Sequence, residues 1–190
     1  MTLVAAPLRL AVIIGSTREG RVGDRIARWF VAHASRRTEV SVCVIDLAEF
    51  AFPTGYPARA TPQMSAFAAE VDRADAFVVV TPEYNHSFPA SLKQAIDFAY
   101  DEWHAKPVGF VSYGCRSAGQ HAVDQLRTVF TALHVVSVRD GVGVDLLDGD
   151  DLEARLAEEI PVQAAQVLLD QLCWWGRTLR DGRAAHPYVS

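Results

Sequence analysis

Five short runs of apolar and β-branched residues alternate with longer stretches of helical periodicity, and this alternation constrains the fold more than any other feature of the chain. The first run, Leu8–Ile14 (LRLAVII), is apolar at nearly every position, as expected of a strand in a parallel sheet covered on both faces. VSVCVID at residues 40–46, AFVVVT at 76–81, PVGFVSY at 107–113 and residues 134–138 read as further strands. Between the first two, Val22, Ile26, Trp29, Phe30 and Ala34 recur at helical spacing against Asp24, Arg25 and Arg28, predicting a helix over 22–35. Helices are expected likewise over 62–73, over 88–98 with Pro89 in the first turn, over 118–133 and over 151–179. Strands and helices in this order imply an α/β fold: a doubly wound, five-stranded parallel sheet with right-handed crossovers and helices on both faces.

A length of 190 residues leaves room for a single domain, 1–190, and the hydrophobic share of 50% against 22% charged residues excludes a disordered chain. The net charge of -5 offers no general field for nucleic acid or anionic lipid, so any bound anion has to be held by local groups. Cys43, Cys115 and Cys173 match neither a disulfide framework nor paired metal ligands, which points to a reducing, cytoplasmic setting. Residues 1–7 lack the basic start of a secretory signal, and no run reaches the roughly 18–20 apolar residues of a membrane span. His33, His104, His121, His134 and His186 share no ligand spacing, so no metal site is expected; His86 reads as a loop histidine with ordinary hydrogen bonds. The acidic run at 145–153 has the character of a capped helix start and lacks the ligand order of a calcium loop. Residues 51–61 (AFPTGYPARAT) read as a mobile surface loop or part of a lid, and Trp174 and Trp175 as core or subunit contact.

In an open α/β sheet, ligands bind outside the carboxyl ends of the strands, where strand order reverses. Three loops fall there. GSTREGRVG at 15–23 places Ser16, Thr17, Arg18 and Arg21 at a helix N-terminus, where backbone N–H groups and the helix dipole favour a phosphate. It is not a P-loop and lacks GxGxxG spacing, so a monophosphate suits it better than a dinucleotide. TPEYNHSFP at 81–89 is stiffened by two prolines and offers Tyr84, Asn85 and His86 to a planar ligand; SYGCRSAG at 112–119 adds Gly and hydroxyl residues. One loop for phosphate and two for a flat heterocycle describe a mononucleotide site.

LAVIIGSTREGR, TPEYNHSFPASLKQAIDF and KPVGFVSYG also resemble the NADPH-dependent FMN reductase family, which has the flavodoxin-like fold and includes flavin, quinone, azo-dye and chromate reductases. The resemblance covers about residues 8–138, with PEYN its most specific part. It implies strand order 2-1-3-4-5, FMN as the nucleotide, NADPH or NADH as reductant, and a homodimer or homotetramer whose partner subunit helps cover the flavin. By the same resemblance Ser16, Arg18 and the backbone of Arg21, Val22 and Gly23 hold the phosphate. Pro82, Glu83, Tyr84 and Asn85 border the ring, and Ser112, Tyr113 and Gly114 contribute from the next loop. Many relatives carry Ser and Asn in place of Arg21 and Gly23, so here the Arg21 guanidinium is expected to replace neutral donors.

Because FMN carries the redox chemistry, no catalytic side chain is nominated. The backbone N–H groups of Tyr84 and Asn85 are expected to stabilise charge on the reduced ring, and nicotinamide and acceptor to alternate over one face, giving ping-pong kinetics. The acceptor is a small molecule such as free flavin, quinone, azo compound or chromate, in a pocket shaped by residues 51–61 and the partner. The alternative is a flavodoxin-type electron carrier, which does not itself oxidise nicotinamide.

Overall fold

The computed structural model describes residues 6–147 and 151–189. The strands β1 (Leu8–Ile14), β2 (Val40–Asp46), β3 (Ala76–Pro82) and β4 (Pro107–Gly114) form a parallel sheet in the order β2-β1-β3-β4, with β5 (Val136–Ser137) beside β4. All of β3 and β4 is buried, and in β1 only Arg9 is exposed, which accounts for their uninterrupted apolar runs. Alternate residues serve opposite faces. Leu8, Leu10, Val12, Val78, Val80 and Val111 face α1 (Gly23–Ala34) and the C-terminal helix; Ala11, Ile13, Phe77, Val79 and Phe110 face α2 (Pro62–Arg73), α3 (Ala90–Asp97) and α4 (Gln120–Ala132).

The single fifth strand expected at 134–138 is in fact two short strands, β5 and β6 (Val142–Asp145), both parallel to β4. Val108 pairs with Ser137 and Val111 with Val142, so residues 138–141 stand opposite only 109–110. This is a bulge in one interrupted edge strand. The Val138 and Arg139 carbonyls that it strands accept hydrogen bonds from Arg127 at 2.7 and 2.8 Å.

The expected helix at 151–179 is also split, into α5 (Leu152–Leu156) and α6 (Glu159–Ala185). Pro161 has no N–H for the Ala157 carbonyl, so the first helix cannot run on unbroken. Asp151 caps α5 through its Oδ1, which accepts from the Glu153 and Ala154 amides; residues 148–150 of the acidic run lie outside the described residues. No described helix is long and apolar enough to cross a membrane. Cys43, Cys115 and Cys173 are all free thiols.

Residues 51–61 form a surface loop, as expected, with contacts to α2 and α3. Phe52 lies against Phe67 and Phe98 with centroids 5.7 and 5.0 Å apart, Gln94 Nε2 donates to the Pro53 carbonyl at 2.5 Å, and Tyr56 reaches the Asp97 carbonyl. The partly buried Phe52 ring ties the loop to α2 and to the end of α3, while Tyr56 stays 71% exposed. Trp175 is partly buried against the core, whereas Trp174 is 61% exposed.

Candidate functional site

A cavity of about 330 Å³ opens at the carboxyl ends of β1, β3 and β4. Ser16, Arg18, Gly20, Arg21 and Val22 line it from the β1–α1 loop, Pro82, Glu83 and Tyr84 from the loop after β3, and Tyr113, Gly114 and Cys115 from the end of β4. Larger clefts, of about 530 and 560 Å³, lie elsewhere, along α2 and near Lys106, away from the strand ends where α/β sheets take ligands.

Helix α1 begins without any side-chain cap; the Arg25 and Ile26 amides donate to the Val22 carbonyl, and the Gly23 and Asp24 amides, which have no partner among the described residues, remain for a ligand. Below them Gly23 meets Tyr113: a Cβ at Gly23 would come within 2.5 Å of the phenol oxygen, so only glycine lets the ring fit. The Tyr113 hydroxyl is buried with no hydrogen-bond partner among the described residues. Burial pushes this phenol well above its usual pKa; Ser16 and Arg21 pull the other way, though Ser16 does not reach hydrogen-bonding geometry. Such an orphaned donor is costly unless a ligand takes its hydrogen bond. Ser16 is buried, while the exposed Arg18 guanidinium has no ion-pair partner among the described residues. Uncapped amides, two hydroxyls and a free cation fit the phosphate end of FMN.

Arg21 departs from expectation. Its guanidinium grips both carboxylate oxygens of Asp46, one at 2.7 Å, and donates to the Ser16 carbonyl at 2.5 Å. The hydrogen bond to Asp46 outweighs the cost of burial and raises the pKa of Arg21 further. Asp46 closes β2 directly opposite Ile14 at the end of β1, so strand register brings its carboxylate to the loop. With its charge already met, Arg21 braces the loop and does not replace the neutral donors expected there.

Gly23, Asn85, His86 and Ser112, also expected at the site, do not line the cavity. Asn85, with φ 50°, and His86, with φ 62°, occupy the tip of a tight turn closed by hydrogen bonds between Tyr84 and Ser87 in both directions. That turn consumes the Tyr84 N–H, given to the Ser87 carbonyl at 2.8 Å, so only Asn85 keeps a free amide of the two expected to stabilise charge. The Ser112 hydroxyl donates to the Ala118 carbonyl at 2.8 Å and holds the β4–α4 loop together. Leu146, just past β6, lines the cavity, and the sequence offered no signal for it because β6 itself was not expected.

Glu83 reaches the start of α4. Its carboxylate accepts from Ser117 Oγ at 2.8 Å and from the His121 amide at 3.1 Å, and lies 3.0 Å from His121 Nδ1. Burial alone would raise its pKa, but these contacts prevail and hold it below the usual carboxylate range. His86 is a loop histidine whose carbonyl accepts from Gln125 Nε2 at 2.8 Å, and its ring stacks on His121 with centroids 4.1 Å apart. Residues without a common sequence spacing thus meet in space, a grouping that spacing along the chain does not reveal.

Comparison with known proteins agrees with this architecture. The NADPH-dependent FMN reductase family matches residues 8–146. The Saccharomyces cerevisiae NAD(P)H-dependent FMN reductase is 33% identical over 180 residues, covering 85% of this chain and 93% of that protein. A Schizosaccharomyces pombe protein of the same description is 34% identical over 130 residues, a match that spans 64% of each chain, just under two thirds of that relative's length. Among solved structures, FerB, a flavoenzyme NAD(P)H:(acceptor) oxidoreductase from Paracoccus denitrificans, superposes with a TM-score of 0.75 at 18% identity, covering 90% of this chain and 98% of its own. The sheet order, the uncapped helix at the strand ends and these matches agree: the chain belongs to the NADPH-dependent FMN reductase family, which uses FMN and NAD(P)H.

Proposed function

We propose that this chain is an NAD(P)H-dependent oxidoreductase that holds FMN in the 330 Å³ cavity and reduces a small acceptor, a flavin or a quinone in the first instance. The observation that carries this reading is the meeting of uncapped α1 amides with the unpartnered Tyr113 hydroxyl and the unpaired Arg18. When bound, FMN supplies the hydride and electron transfer chemistry. The protein supplies position. Ser16, Arg18 and the amides of Val22 and Gly23 hold the phosphate, and Arg21 keeps the loop closed through Ser16 and Asp46. Pro82, Glu83 and Tyr84 with Gly114 border the ring.

Arg18→Ala is expected to weaken FMN binding about 10- to 100-fold, the worth of one charge-assisted contact to phosphate, and to leave riboflavin binding unchanged. Fluorescence titration of the apoprotein with each ligand measures this; equal FMN affinity in the variant would remove Arg18 from the phosphate site.

A flavodoxin-type carrier is less well supported, since the net charge is a mild -5 and a cation stands in the phosphate loop. Ping-pong kinetics follow if nicotinamide and acceptor use one face in turn, and parallel double-reciprocal lines would support that order. Self-association is supported by the exposed Ile160, Val167 and Trp174, which recur at seven-residue steps along α6. Three free thiols support a reducing, cytoplasmic setting for one FMN-binding unit.

A further inference from the structure

A loop and a helix start far apart in sequence bring two imidazoles and a carboxylate together. Glu83 follows β3, His86 sits in the turn after it, and His121 lies in the first turn of α4. One potential ligand atom from each lies within 4.8 Å of the other two. Glu83 Oε1 and His121 Nδ1 are 3.0 Å apart, which is the edge that two ligands subtend at a right angle when each sits about 2.0–2.2 Å from one ion. The second carboxylate oxygen is already taken by Ser117 Oγ and the His121 amide, so the carboxylate is oriented from behind, as in built metal sites.

The third group is close by. His86 lies parallel to His121, with 2° between the ring planes. Parallel rings do not aim their lone pairs at one point, so His86 has to turn about its own side-chain torsions to complete a coordination sphere. Its side chain is exposed. Its backbone is anchored meanwhile: Gln125 Nε2 donates to the His86 carbonyl at 2.8 Å, and Ser87 Oγ donates to Gln125 Oε1 at 2.6 Å.

We propose that Glu83, His86 and His121 form a site for one divalent first-row transition ion, the ion taking the place of the proton between Glu83 and His121 while His121 carries its proton on Nε2. Two imidazoles and one carboxylate suit Zn²⁺ or Cu²⁺; Mg²⁺ and Ca²⁺ want more oxygen ligands. Three protein ligands leave a position for water or another oxygen donor. Glu83 also lines the cavity, so the ion stands at its rim. This inference does not rest on the flavin reading, because none of its ligands depends on FMN being bound.

The test uses tag-free full-length protein, stripped with chelator and exchanged into chelator-free buffer. Calorimetric titration with ZnCl₂ is expected to show one saturable ion per chain, with affinity at least about tenfold lower in His86→Ala and in His121→Ala and unchanged in His33→Ala. Electron paramagnetic resonance after addition of one equivalent of CuCl₂ is expected to show coupling to two imidazole nitrogens. Circular dichroism melting confirms that each surface variant is folded. Absence of saturable Zn²⁺ binding, or equal affinity in both ligand variants and wild type, would overturn the site.

Discussion

Replacing Trp103 with alanine is expected to lower the unfolding free energy by about 3–5 kcal/mol. The indole is fully buried, with Phe77 of β3 at 4.7 Å, Phe130 of α4 at 5.4 Å and Phe67 of α2 at 6.2 Å between ring centroids. Three helices and the sheet meet on this one side chain, so its removal leaves a cavity that no single neighbour can fill. The Nε1–H also donates to the Ile96 carbonyl at 3.1 Å, a hydrogen bond that alanine removes. Urea denaturation measures the loss, and a change below about 1 kcal/mol would show that the aromatic cluster collapses freely around the gap.

The second large effect is a dependence on pH. Lys106 is buried, its ammonium donating to the Val71 and Asp72 carbonyls at the end of α2 at 2.9 and 2.7 Å. Burial, with a lesser push from Arg183, lowers its pKa from 10.5 to about 8; Asp72, Asp75 and Glu102 oppose the shift without cancelling it. In this range the unfolded chain binds the proton that the folded chain has released, so stability rises as pH goes from about 8 toward 10.5. The full gain amounts to about 3 kcal/mol. Below about pH 8 the amine is charged in both states and the penalty is fully present. Lys106→Met keeps the stem and removes the titration, so wild-type stability measured against this variant is expected to climb across that window. Parallel pH profiles for the two proteins would contradict a lowered Lys106 pKa.

Neither residue stood out in the sequence. Trp103 lies in a short 3₁₀ turn, where no periodicity assigns it a face, and Lys106 is one residue ahead of a strand, where a lysine reads as solvated punctuation. What was legible was whatever repeats. Strands covered on both faces leave unbroken apolar runs, and helices on a sheet leave a stripe every three to four residues, so the elements and the loops at the carboxyl end of the sheet followed directly, whereas the order β2-β1-β3-β4 came only with the family resemblance. The edge of the sheet did not follow, because the bulge at 138–141 breaks the run that marks a strand.

The same limit applies within the site. Arg21 belongs to the right loop, yet its partner Asp46 is 25 residues away and reaches it only through the β1–β2 register. Glu83 and His121 meet across 38 residues in the same manner. Loop composition indicates which residues stand at the strand ends, while charge pairing across strands decides which of them stay free for a ligand.

The central claim is that this chain holds FMN and oxidises nicotinamide through it. Anaerobic addition of NADPH, and separately NADH, to the FMN-loaded protein tests it most directly, with the visible flavin absorption as readout. Rapid bleaching by at least one nicotinamide, restored on addition of a quinone, is the result this account predicts. A flavin that stays bound and unbleached by either would contradict it and leave the chain as a carrier.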